Sequence, residues 1–133
     1  MQDSRGTKEK EFDVLKIALG AKERQIIYDR INIRVDKMVN MGLESEARII
    51  YFKNPELKSF AATIGYQEFI PYFKGEYDLK TVVEKIKQNT RRYAKRQLTW
   101  LRAQVDINWF YIDELSVEEI ETKSYELIKK FLI

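Results

Sequence analysis

The chain is 133 residues long and 44% apolar, with Lys+Arg 24 against Asp+Glu 21 and a net charge of +3. That length and apolar share sustain one ordinary hydrophobic core, and so small a net charge excludes a surface that is basic throughout, so any polyanion site must come from uneven placement of charge. With no cysteine and no histidine, disulfide frameworks, zinc fingers, thiol nucleophiles and imidazole bases are excluded, and catalysis would have to rest on carboxylates, Lys, Tyr or Ser/Thr.

Residues 1–11, "MQDSRGTKEKE", are polar, carry no apolar signal core and read as a frayed tail. No apolar run approaches the roughly 20 residues that a membrane span needs, so a cytoplasmic protein is expected. "FDVLKIAL", about 12–19, is a nearly continuous apolar run ended by Gly20 and predicts a strand buried on both faces. From Ala21 to Met41 the positions Ile27, Ile31, Val35 and Met38 recur at helical spacing, with Gly42 where a helix C-terminus favours glycine. A shorter helix is expected over Glu44–Phe52, stopped by Asn54 and Pro55. "ELKSFAATIGYQEFIPYFKGEYD" predicts a loop around Gly65, then a short helix that begins just before Pro71 and ends at Gly75.

Asp78 is a good N-cap for a long helix in which Leu79, Val83, Ile86, Tyr93 and Leu101 keep one apolar stripe. "INWFYID", about 107–113, predicts a second strand buried on both faces. "SVEE" then offers a capping box at Ser116 and Glu119 that opens a last helix to Ile133, and the acidic "DELSVEEIE" reads as a capped, solvated helix start rather than a metal site. Two such strands are too few for an independent sheet, which points to a piece of a larger α/β protein or to a partner that supplies further strands.

"TRRYAKRQLTWLR", residues 90–102, holds four arginines, one lysine and no acidic residue. At about 100° per residue Arg91, Lys95 and Arg102 fall together opposite the apolar stripe, with Arg92, Thr99 and Arg96 beside them. Two readings stand: a solvated face, or a phosphate grip, which the excess of arginine favours through its planar fork of donors. Tyr93 and Trp100 read as core rather than base-stacking platforms. Gln97 lies in the middle of the apolar face, either as a satisfied core glutamine or as a reader of a base. Arg30, Arg34 and Lys37 form a second basic row, interrupted by Asp29 and Asp36 and read as solvated.

"RINIRVDKMVNMGLESEAR", "ATIGYQE", "GEYDLKTVVEKIKQNTRRYAKRQLTWLR" and "INWFYID" resemble, in order and spacing, the C-terminal part of the bacterial tRNA dimethylallyltransferases. The resemblance covers about 12–113, which leaves 114–133 as a C-terminal helix on a single segment. It implies a mostly α chain: the helical C-terminal part of a P-loop α/β enzyme whose two short strands join the core sheet of the intact protein. Members transfer dimethylallyl from its diphosphate, with Mg2+, to N6 of an adenosine flipped out beside the anticodon. This sequence contains no G-x-x-x-x-G-K-[ST]; "RGTKEK" at Arg5–Lys10 lacks the first glycine and the preceding strand. The expectation is therefore a chain without the catalytic half, holding no catalytic residue, no metal and no bound cofactor of its own, and meeting dimethylallyl diphosphate only together with that half.

The resemblance also implies tRNA contacts at Thr63, Ile64, Gly65, Tyr66 and Gln67, and at Lys95, Arg96, Gln97, Thr99, Trp100 and Arg102, with Arg91 joining them from the basic run. Position 67 is often basic or long and polar in relatives; here it is the neutral Gln67. Arg30, within "RINIRVD", is expected to face the diphosphate in the intact enzyme. The partner implied is a tRNA anticodon stem-loop, its phosphates gripped by the basic stripe while Gln97 and the Gly65 loop line the path of the flipped base. The alternative is a helical interaction module that docks on a separate P-loop catalytic subunit.

Overall fold

A computed structural model describes residues 12–133; the expected tail at 1–11 and its "RGTKEK" lie outside the described residues. The chain is mostly helical: β1 (Lys16–Gly20), α1 (Arg24–Asn40), α2 (Leu43–Lys53), α3 (Lys58–Ala62), α4 (Phe69–Phe73), α5 (Leu79–Arg102), β2 (Ile107–Tyr111) and α6 (Val117–Leu132). It divides into two compact units, Gln25–Thr99 and the flanking stretches up to Arg24 and from Trp100. No helix among the described residues is long and apolar enough to cross a membrane.

The Gln25–Thr99 unit is built around Val35, Leu43, Ala47, Phe60, Phe69, Val82 and Ile86. The expected periodicity of α1 holds through Val35, but the next core position is Val39, since Met38 is 36% exposed. Val39 lies four residues beyond Val35 and eight beyond Ile31, and so stays on their face. Gly42, at φ 103, reverses the chain between α1 and α2 in a conformation that only glycine adopts without strain. The α2–α4 contact is aromatic: Tyr51 stacks on Phe73 at 5.1 Å and Phe73 on Phe69 at 5.6 Å. Pro71 is the third residue of α4, where the backbone N–H has no helical partner to lose.

The five-residue α3 was not expected from the sequence. It is a single turn with no room for periodicity, held by burial of Phe60 beneath the stacked ring of Tyr66 at 5.1 Å. Between α1 and α5, Lys87 pairs with Asp36 at 2.8 Å and Arg91 Nη1 donates to Asn32 Oδ1 at 2.7 Å, so the two helices run antiparallel.

In the other unit the two expected strands pair with each other in parallel, Lys16 opposite Ile107 and Gly20 opposite Tyr111. They are shorter than predicted and not buried on both faces: Phe12, Val14 and Leu19 are exposed, because a two-stranded sheet offers no neighbours to cover them. Gly20 makes room for Trp109, whose ring would lie 3.0 Å from an added Cβ. Asp113 leaves the predicted strand to accept from the backbone N–H groups of Lys22 and Glu23, each at 3.0 Å, and these bonds hold its carboxyl below the usual range. The Ser116–Glu119 capping box opens α6 as expected.

Replacing Phe69, fully buried in the core of the Gln25–Thr99 unit, by alanine should cost roughly 3–5 kcal/mol in urea unfolding, whereas Met41→Ala, at 87% exposed, should stay within about 0.5 kcal/mol.

Candidate functional site

The site is carried by α5 and by the loop between α3 and α4. Asp78 caps α5 as predicted, its Oδ1 accepting from the Thr81 backbone N–H at 2.9 Å and from the Thr81 hydroxyl at 2.7 Å. Val82 and Ile86 are fully buried, and Asn89 and Thr90 half-buried. The same helix face then continues through Tyr93, 49% exposed, Gln97, also exposed, and Trp100, 61% exposed. Tyr93 and Trp100 are therefore not core, and Gln97 is not a buried glutamine. The apolar stripe outruns the core that covers its first half.

The loop is a tight, internally bonded turn. The Thr63 carbonyl accepts from the N–H groups of Tyr66 and Gln67 at 3.1 and 2.9 Å, and the Thr63 hydroxyl donates to the Ser59 carbonyl at 2.5 Å. Gly65, buried at φ 100, presents its N–H to Glu68 Oε1 at 2.8 Å. The other oxygen, Oε2, accepts from Asn89 Nδ2 of α5 at 2.7 Å, and the Glu68 carbonyl accepts from the Tyr77 hydroxyl at 2.5 Å. Glu68, only 4% exposed, thus clasps the loop to the helix. Beside the clasp lies an open groove of about 470 Å³, lined by Gln67, Glu68, Ile70, Pro71, Tyr77, Lys85 and Asn89 together with Ala61.

Sequence reasoning named neither Glu68 nor Asn89. Asn89 carried a signal, because an amide on the apolar stripe is the feature that singled out Gln97. Burial of Glu68 had no local signal, since it depends on Asn89 of α5, 21 residues downstream.

The predicted residues are partly gathered and partly separated. Thr63 is exposed and Gln67 half-buried at the groove, but the ring of Tyr66 is committed to Phe60, and burial, aided by Glu46, pushes its hydroxyl pKa up. Ile64 is half-buried. On α5, Arg92, Tyr93 and Arg96 follow Asn89 at i+3, i+4 and i+7 and so share its side of the helix. Lys95, Thr99 and Arg102 are exposed on the outer side, the Thr99 hydroxyl turned back to the Lys95 carbonyl at 2.9 Å. Arg91 does not stand free with them, since α1 holds it through Asn32. Arg30 is exposed on α1. Among the described residues no group of three or more His, Cys, Asp or Glu side chains is arranged to hold a metal ion.

Known proteins are similar to this chain in sequence and in fold. A family model described as IPP transferase matches residues 1–104. The chain belongs to the IPP transferase family. Among curated relatives, the tRNA dimethylallyltransferase of Latilactobacillus sakei is 47% identical over 107 residues, which is 80% of this chain and 34% of that protein. The Streptococcus thermophilus tRNA dimethylallyltransferase is 56% identical over 90 residues, 68% of this chain and 30% of that protein. The chain therefore spans about a third of the length of the relatives it matches.

Two solved structures are similar as well. The tRNA isopentenylpyrophosphate transferase of Bacillus halodurans has a TM-score of 0.83 at 36% identity, covering 91% of this chain and 40% of its own. The tRNA delta(2)-isopentenylpyrophosphate transferase of Staphylococcus epidermidis has a TM-score of 0.81 at 32% identity, covering 96% and 43%.

In this IPP transferase chain the hydrogen bonds from Thr81, side chain first and backbone second, hold the Asp78 carboxyl below its ordinary value of 3.8. A depressed folded-state pKa means stabilisation that is present above the ordinary value and lost as pH falls through the lowered one. Asp78→Asn keeps an acceptor for Thr81 without the titration, so its Tm should lie below the parent's at pH 6 and the gap should narrow in melts taken towards pH 2.

Proposed function

We propose that this chain is the tRNA-contacting, C-terminal portion of a cytoplasmic tRNA dimethylallyltransferase, the enzyme that moves dimethylallyl from its diphosphate to N6 of the adenosine beside the anticodon. The observation that carries the reading is the clasp of the Thr63–Gln67 loop onto α5 at Asn89, directly before the run that holds Arg92, Lys95 and Arg96. An arginine- and lysine-bearing helix beside a loop of bonded backbone suits a folded polyanion, with the cations on phosphates and the neutral loop on sugar or base edges.

In this reading Arg96, Lys95 and Arg102 grip anticodon-stem phosphates, and Arg92 extends the grip. Gln97 and Trp100, exposed on the face next to Arg96, present an amide and an indole to unpaired bases, and Thr63 and Gln67 meet the RNA from the loop. Arg91, tied to Asn32, orients α5 against α1 and contributes a weaker phosphate contact. Arg30 is the residue assigned to the diphosphate. No phosphate-binding glycine loop occurs in this sequence, so this portion binds RNA without transferring the prenyl group, and magnesium and, apart from the Arg30 contact, dimethylallyl diphosphate are held by other residues of the intact enzyme.

A second reading, docking on a separate P-loop subunit, has one observation in its favour. Leu19 of β1 and Tyr125, Ile128, Phe131 and Leu132 of α6 are exposed apolar side chains within one unit. It predicts transferase activity only after a P-loop polypeptide is added.

The RNA reading is checked by fluorescence titration of the chain with an unmodified anticodon stem-loop at several salt concentrations. Saturable binding is expected, with the slope of log affinity against log salt falling by a little under one unit for each phosphate contact removed by Lys95→Ala, Arg96→Ala and Arg102→Ala. Absence of saturable binding, or a slope indifferent to all three, would sink the reading for this chain.

A further inference from the structure

Glu68 takes no part in the RNA contacts proposed above, yet it is the one charged side chain buried among the described residues. Burying a carboxylate is costly unless its oxygens are hydrogen-bonded, and an apolar side chain would pin a loop to a helix with less desolvation. What the carboxylate adds is direction. Its two oxygens accept from two donors on different elements, the Gly65 N–H at 2.8 Å and Asn89 Nδ2 at 2.7 Å, so the loop can meet α5 in one register. The Tyr77 hydroxyl bonded to the Glu68 carbonyl fixes the residue's own backbone.

We propose that Glu68 is a positioning residue for RNA: through Gly65 and Asn89 it sets the neutral Thr63–Gln67 loop in register with Arg92 and Arg96 on α5, so that loop and helix act as one binding site. The proposal rests on the RNA reading above. Arg92 and Arg96 lie about 4.5 and 10.5 Å along the helix axis from Asn89, at 1.5 Å per residue. A shift of the loop by one residue would therefore change which nucleotide it meets relative to the phosphates gripped by the arginines. The loop from Thr63 to Gln67 carries no charge, so releasing it removes affinity and leaves the number of phosphate contacts, and hence the salt slope, as it was.

The pair can be reversed chemically. Asn89→Asp sets two carboxylates against each other. Combining it with Glu68→Gln restores a donor facing an acceptor, while the new amide's oxygen still accepts from Gly65. The experiment measures two quantities in the chain: hydrogen exchange of the Gly65 N–H by NMR, and stem-loop affinity across a salt series. Glu68→Ala and Asn89→Asp are each expected to speed Gly65 exchange and weaken binding by roughly tenfold, the scale of one lost buried hydrogen bond, with the salt slope unchanged. The Glu68→Gln/Asn89→Asp pair should return both quantities towards the parent, which a merely disrupted fold would not allow.

Should Glu68→Ala unfold the chain, Asn89→Asp and the reversed pair carry the test. Unchanged Gly65 exchange in Asn89→Asp overturns the clasp. Faster exchange with undiminished affinity, in a parent that binds RNA, overturns the positioning role alone. A parent that binds no stem-loop overturns the RNA reading and this proposal with it.

Discussion

A buried carboxylate with two donors is the constraint around which the Gln25–Thr99 unit is arranged. Glu68 cannot sit at 4% exposure unless both oxygens are satisfied, and each partner makes its own demand. The Gly65 N–H points at the carboxylate because its residue adopts φ 100, a conformation that excludes most side chains although an added Cβ would meet nothing within 4 Å. Asn89 must lie on the α5 face that meets the loop, which sets the rotation of the helix about its axis. That rotation decides which of the downstream arginines stand beside the loop and which stand away from it.

Helix α5 is one element in two environments. Its first half buries Val82 and Ile86 and is tied to α1 through Lys87–Asp36 and Arg91–Asn32. Its second half keeps the same apolar face but leaves Tyr93 and Trp100 uncovered. A helix that only closed a core would end its apolar stripe where the core ends. The continued stripe, flanked by Arg92 and Arg96, gives this IPP transferase chain an amphipathic surface with aromatic and cationic groups side by side, the combination that suits unstacked bases next to phosphates.

The unit of β1, β2 and α6 is held by a different device. Asp113 fastens the end of β2 to the backbone entering α1, and Lys22 Nζ lies 4.4 Å over the Tyr111 ring. A parallel pair needs a long crossover, and the whole helical unit forms that crossover. In the unit of β1, β2 and α6, apolar side chains such as Leu19 and Phe131 remain exposed, in a chain that spans about a third of its relatives' length.

Local chemistry was enough to read the ends of most elements. Gly42 after α1, Asp78 before α5, the Ser116–Glu119 box before α6 and Pro71 in the first turn of α4 each act within a few residues of themselves, so the sequence determined them alone. The family, too, was legible, because "IGYQE" and "NTRRYAKRQLTW" are contiguous strings. What only the tertiary structure decided are quantities set by distant neighbours: how far the core covers α5, and so the exposure of Tyr93, Gln97 and Trp100; the capture of Arg91 by Asn32, 59 residues away in sequence; and the burial of Glu68. A helical wheel gives direction around an axis but not what lies in that direction. Covering a face or satisfying a buried oxygen requires a second element, and its position follows from packing of the whole unit rather than from any window of residues.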